Sequence, residues 1–163
     1  MKLTQLLEKE EGVVISAGFA IKSLDQYLFG KAYSKNTAKS WTIFKGNVEK
    51  DETLLEAAIR ELREESGIDA NYFKKYIKGN KPIFSYPVKT KVVHVFMLES
   101  SSKDLQNVSL KCVSKITGTK IPEITAYSWM NLDEALNKVY PSQLGLIRFL
   151  MEQETEEVEE AEK

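Results

Sequence analysis

The segment Gly46–Ile68, GNVEKDETLLEAAIRELREESGI, constrains this chain more than any other stretch. Thr53 and Glu56 have the T-x-x-E spacing of a capping box, which starts a helix by satisfying two orphan backbone donors. Gly67 can adopt the left-handed conformation that closes one. Between them Leu55, Ala58, Ile59 and Leu62 recur at helical spacing and form a face for a core. Glu61, Glu64 and Glu65 stand at i, i+3 and i+4, so their side chains share one side of the helix. Like charges at that spacing destabilise a helix by roughly 0.2–0.5 kcal/mol per pair. Arg60 and Arg63 offset part of the repulsion, and Glu52 lies where it can pair with Arg60. A divalent cation would remove the rest, since hard cations such as Mg²⁺ take a few carboxylates together with phosphate oxygens.

Around this helix the chain is mostly strand. Gly12–Ile21 is uncharged and rich in Val, Ile and Phe, and Gln26–Ala32 reads as its neighbour across a short polar turn. A polar loop at Ser34–Ser40 leads to an apolar stretch, Trp41–Phe44, and a loop at Lys45–Glu52. The spacing predicts a helix over Thr53–Glu65, a strand at Lys91–Glu99, and further strands within Leu105–Thr117 and at Ala126–Met130. Helices are expected at Leu132–Asn137 and Pro141–Gln153. One central helix among strands, with helices at the end, is an α+β order rather than regular βαβ alternation. The expected organisation is one domain over residues 1–151 and an acidic tail, 152–163, that is a frayed helix end or disordered.

Composition narrows the function. At 163 residues the chain suits one core, and 23 basic against 24 acidic residues argue against general DNA binding. The lone Cys112 excludes an intrachain disulfide, fits a reducing, cytoplasmic setting, and is expected as a half-buried strand thiol. Met1–Glu11 has no apolar signal core, and no apolar run approaches membrane length. His94 alternates within an apolar strand and is expected as a core histidine.

The central segment resembles the Nudix box, G-x5-E-x7-R-E-U-x-E-E-x-G-U with U a bulky aliphatic residue. It matches at Gly46, Glu52, Arg60, Glu61, Leu62, Glu64, Glu65, Gly67 and Ile68. The resemblance implies an α/β/α sandwich around a mixed sheet, with the box as loop–helix–loop. It implies hydrolysis of a nucleoside diphosphate linked to another group, with Mg²⁺ or Mn²⁺. Glu64 and Glu65 are then the principal metal ligands, with Glu61 beside them and the backbone carbonyl of Lys45 as a further ligand. Arg60 and Glu52 position the cluster, and the general base is Glu65 or Glu123.

Outside the box the chain is similar to asymmetric dinucleoside polyphosphate hydrolases and bacterial RNA 5′-pyrophosphohydrolases. The similarity lies in SAG at Ser16–Gly18, W-T-x-x-K-G at Trp41–Gly46, E-x-x-A-Y-x-W at Glu123–Trp129 and YPSQ at Tyr140–Gln143. It implies that Tyr127, with Tyr86 as a second wall, stacks on a nucleobase. Lys45, Lys89 and Lys91, with the Gly46 backbone, would then meet the polyphosphate. Asn47 replaces the histidine usual in K-G-H, and Phe44 the usual proline, so the loop facing the phosphates departs from the pattern. The expected partner is a nucleotide with a polyphosphate bridge, such as diadenosine tetraphosphate. An RNA 5′ end, ADP-ribose or a nucleotide sugar, a damaged nucleoside triphosphate, or a catalytically silent nucleotide-binding module are the alternatives. A monomer or homodimer away from membranes is expected.

Overall fold

The computed structural model describes residues 12–34 and 38–163; Met1–Glu11 and part of the Ser34–Ser40 loop lie outside the described residues. Seven strands form one mixed sheet: β1 (Val14–Ser23), β2 (Gln26–Ala32), β3 (Trp41–Thr42), β4 (Phe44–Asn47), β5 (Phe84–Val88), β6 (Lys91–Ser100) and β7 (Ile124–Met130). β1 and β6 run parallel over ten residue pairs, from Val14↔Lys91 to Ser23↔Ser100. The other pairings are antiparallel, in the order β3-β2-β1-β6-β5, with β4 on β1 and β7 on β2.

Alternation along β1 sends side chains to two cores. Ala17, Phe19 and Ile21 pack with Ala57, Ala58 and Leu62 of helix α1 (Leu54–Ser66). Ala20 joins Phe29, Val93 and Val95 on the other face. That second face is covered by α2 (Leu132–Leu136) and by Leu146, Ile147 and Leu150 of α3 (Leu144–Glu162). Helices therefore cover both faces of a mixed sheet, the expected α/β/α sandwich. No helix among the described residues is long and apolar enough to cross a membrane.

The sheet changes partner at one point that matters for the site. β3 pairs with β2 up to Thr42, whereas β4 pairs with β1 from Phe44 onward. Ile43 is the single residue between. Phe44 fits there because Gly18 and Gly30 lack side chains; a Cβ on Gly30 would lie 2.7 Å from the Phe44 ring.

The expected strand within Leu105–Thr117 and the strand setting of Cys112 need correction. Leu105–Thr117 holds no strand: it forms a 3₁₀ turn at Leu105–Asn107 and then irregular backbone. Its apolar Leu105, Val108, Leu110 and Cys112 fill the core beneath α1, while its N–H groups bond the end of that helix. Cys112 is accordingly buried in a loop and lies against Ser114. β5 carries little strand signal in its sequence because Pro87 interrupts it, which only an edge strand tolerates. The acidic tail is helical as far as Glu162, and Glu154 anchors its start. Tyr27 Oη donates to the Glu154 carboxylate (3.0 Å), and Lys22 Nζ lies 3.3 Å from it.

Candidate active site

Helix α1 begins as its sequence requires. Thr53 Oγ1 accepts from Glu56 N–H (3.1 Å), and Glu56 reaches back to Thr53 N–H, closing a capping box. Gly67, at φ 80°, ends the helix by donating to Arg63 O. Three further carbonyls of the last turn are held from outside. Lys111 N–H bonds Ser66 O (2.9 Å), Val113 N–H bonds Glu64 O (2.8 Å), and Tyr127 Oη donates to Glu65 O (2.5 Å). Carbonyls left without intrahelical partners at a helix end are thus satisfied by side chain and loop. The turn carrying the acids is fixed in place.

Arg60 organises the carboxylates. Its Nε and Nη2 donate to the two Glu52 oxygens (2.8 and 3.0 Å), and Nη2 also reaches the Asn47 carbonyl (2.9 Å). Nη1 donates to Glu61 (2.8 Å) and lies 3.4 Å from Glu64. These bonds, that to Glu52 foremost, hold the guanidinium's pKa above its ordinary value. Glu52 thus clamps the loop to the helix while Arg60 spreads its remaining donors over the acids.

The acids are not equivalent. Glu65 points inward, only 4% exposed, and accepts a bond from Lys45 N–H (3.3 Å). Burial raises its pKa well above the ordinary value, and nearby Glu61 and Glu123 raise it further. Glu61 is also raised, by burial first, although Arg60 opposes the shift. Glu61 abuts Gly46 so closely that a Cβ there would overlap its carboxylate. Gly46 is therefore required by close approach. Lys45 is lowered by burial, with Glu65 opposing.

Two adjoining clefts share Lys45 and Glu123. A polar basin of about 580 Å³ is lined by Gly46, Arg60, Glu61, Glu64 and Lys91 among others. A second cleft, of about 410 Å³, is lined by Glu65, Val88 and Ile116, with Tyr33, Tyr140 and Gln143. Glu52, Arg60, Glu61, Glu64, Glu65, Glu123, Lys45, Gly46 and Lys91 are thus brought together. Three others are not. Tyr86 is 4% exposed in the core beside Phe84, so it is no wall of the cleft. Tyr127 packs against Phe44 at 5.9 Å beneath α1, with its hydroxyl committed to Glu65 O. Lys89 is exposed in the β5–β6 turn at φ 54° and lines neither cleft. His94 is half-buried and bonded to Ser85 Oγ (2.7 Å) rather than enclosed on both faces. Tyr33, Tyr140 and Gln143 were not singled out as site residues, although the YPSQ run containing two of them was visible.

Among the described residues no three acidic, histidine or cysteine side chains stand as a ready-made metal cage. The donor set nevertheless fits a hard cation. Burial disfavours the charged forms of Glu65 and of half-buried Glu61 more than Arg60 and Lys45 offset, and a further positive charge would relieve both. Mg²⁺ is usually held by one or two carboxylates plus substrate phosphates, without a complete protein cage.

The family model described as NUDIX domain matches residues 15–150. The chain is 35% identical over 104 residues to the asymmetrical bis(5′-nucleosyl)-tetraphosphatase of Sus scrofa, covering 63% of each chain. It is 32% identical over 93 residues to mRNA-decapping protein g5R of African swine fever virus, covering 57% of this chain and 37% of that one. The chain thus spans well under half the length of the viral relatives. In fold it is similar to a C. elegans Ap4A hydrolase, with TM-score 0.60 and 23% identity, covering 88% of this chain and 98% of that one. On the family model, the box and the fold together, the chain belongs to the Nudix family.

Proposed function

We propose that the chain is a Mg²⁺- or Mn²⁺-dependent pyrophosphohydrolase that cleaves a phosphoanhydride in a dinucleoside polyphosphate such as diadenosine tetraphosphate. The observation that carries this is the convergence of Glu61, Glu64, Lys45 and Glu123 on one basin, with a second cleft opening beside it. The identity to the tetraphosphatase of Sus scrofa supports the substrate. Glu61, Glu64 and Glu65, with the Lys45 carbonyl, would hold the cation. When bound, it supplies charge neutralisation on the phosphate oxygens and a lowered pKa for the attacking water. Arg60 and Glu52 keep the carboxylates in register for it. Glu123, exposed on the loop before β7 and facing Glu61 and Glu65, accepts the proton of the water; Glu65 is turned inward and already engaged. Lys45 and Lys91 bind the polyphosphate as point charges. Tyr33 and Tyr140 flank the nucleoside in the second cleft, in place of Tyr86 and Tyr127.

A second reading, cleavage at an RNA 5′ end, is favoured by the viral decapping relatives. A panel of diadenosine tetraphosphate, capped and triphosphorylated RNA, ADP-ribose and nucleoside triphosphates, with Mg²⁺ or Mn²⁺ and product identification, separates the readings. ATP release from the dinucleotide is expected. Rejection of every dinucleotide while RNA is cleaved moves the substrate to the second reading. No hydrolysis of any member sinks the enzyme and leaves a silent nucleotide-binding module.

A further inference from the structure

We infer that Gln143 is a positioning residue that sets the width of the substrate cleft by bonding the one backbone amide at which the sheet changes partner. The inference rests on the proposed hydrolase reading for its kinetic readout, though its structural readout does not.

Ile43 lies between the last β3 pair with β2 and the first β4 pair with β1, so neither ladder serves it. The residue is 1% exposed, and a buried backbone N–H must find a partner. That partner is Gln143 Oε1, 3.1 Å away and 100 residues along the chain. The same amide donates from Nε2 to Thr42 Oγ1. Gln143 is itself 1% exposed, so its side chain is confined to this task.

Both ends of this link belong to the cleft. Two residues beyond Ile43 comes Lys45, whose N–H bonds Glu65 and whose side chain lines both clefts. On the other side, the connector from α2 to α3 carries Tyr140 and Ser142 into the cleft wall. The backbone already joins the connector to Trp41, through Trp41 N–H to Lys138 O and Tyr140 N–H to Trp41 O, both 3.1 Å. Those bonds end two residues short of Ile43. Gln143 carries the stitching past the switch, so the Tyr140 wall and the strand bearing Lys45 move as one body. Beyond the Lys45 N–H bond to Glu65, the acid cluster has anchors of its own in Tyr127 and the 111–114 loop. Loss of the amide should therefore loosen substrate binding more than it disturbs the carboxylates.

The test is Gln143→Met, which keeps the volume and removes both bonds, read by amide hydrogen exchange and steady-state kinetics with diadenosine tetraphosphate. Exchange at Ile43 and Lys45 should accelerate about tenfold or more, while β1 and β6 amides keep their protection. KM should rise about tenfold, with kcat changed less than about threefold. Gln143→Glu, which keeps an acceptor of the same reach, should restore protection at Ile43. A fall in kcat at unchanged KM, with protection lost across the sheet, marks a merely structural role and overturns the inference. If the wild type hydrolyses nothing in the panel, exchange alone decides: unchanged protection at Ile43 and Lys45 in Gln143→Met overturns it. If Gln143→Met does not fold, the wild type decides. An Ile43 amide exchanging as fast as that of exposed Lys50 overturns the assignment, and a protected one upholds it.

Discussion

Tyr127 holds the backbone carbonyl of Glu65 by its hydroxyl, at 2.5 Å, although 62 residues separate them. Its ring lies on Phe44, and the next residue, Lys45, donates its N–H to the Glu65 carboxylate. One aromatic residue thus steadies the most buried acid of the site from backbone and side chain together. Tyr127→Phe keeps the ring and removes only the bond. It should lower stability by about 0.5–1.5 kcal/mol and kcat by about tenfold, a barrier change of about 1.4 kcal/mol. Denaturant unfolding and turnover of the variant check both, and an unchanged kcat would show that the Glu65 turn needs no such support.

The box helix and the two longest strands were legible because their signals are local and periodic. Thr53, Glu56 and Gly67 state where a helix begins and ends, and β1 and β6 are long apolar runs. The substrate side was less legible. Tyr86 and Tyr127 occupy strands, and which face a strand residue takes depends on partners that lie far away in sequence. Tyr86 falls on the α3 face and Tyr127 on the α1 face, away from the cleft. Tyr33 and Tyr140 reach it from irregular backbone, where no periodicity announces a direction. Glu65 shares one side of the helix with Glu61 and Glu64, as the spacing requires, but is the most buried of the three. It turns inward because the helix ends beneath a loop whose strand-like sequence concealed its role.

Removing one acid tests the cation site. Glu64→Gln is nearly isosteric and should cut kcat by at least about 100-fold, since charge stabilisation by a metal is worth several kcal/mol. Thermal unfolding gives a second readout. Millimolar Mg²⁺ should raise the wild-type Tm by linkage and raise that of the variant less. Equal Mg²⁺ effects on the two proteins would remove Glu64 from the ligand set.

Gly46→Ala places a methyl group where the Glu61 carboxylate sits, so the carboxylate or β4 must move. A displacement near 1 Å in a catalytic constellation costs about 100-fold, and that loss of activity is expected. Gly145→Ala is the control. Its added carbon would meet only Phe84, at 3.8 Å, inside a helix that favours Ala, so stability should hold or rise by about 1 kcal/mol. A fully active Gly46→Ala enzyme would show that the close approach is incidental.

Burial lowers the His94 pKa below its ordinary 6.5, so the folded chain keeps the imidazole neutral where the unfolded chain has begun to bind a proton. Its contribution to stability is thus complete above 6.5 and is lost as pH falls below that value. Compared with His94→Gln, the wild type should lose Tm faster between about pH 7.5 and pH 5.5, because the substitution removes this proton uptake. Parallel Tm profiles for the two proteins would mean that His94 titrates alike in both states.

The extension of α3 to Glu162 makes the near-zero net charge misleading. Residues 152–163 hold seven glutamates and one lysine, whereas the rest of the chain has 22 basic against 17 acidic residues. Because Glu154 is anchored on Lys22 and Tyr27, at the far end of β1 from Ser16 and the basin, the glutamate-rich end of α3 is held away from the site. The charge of that helix therefore repels an incoming polyanion least from the side of the basin. Such steering fades once ionic strength shrinks the Debye length to about 10 Å.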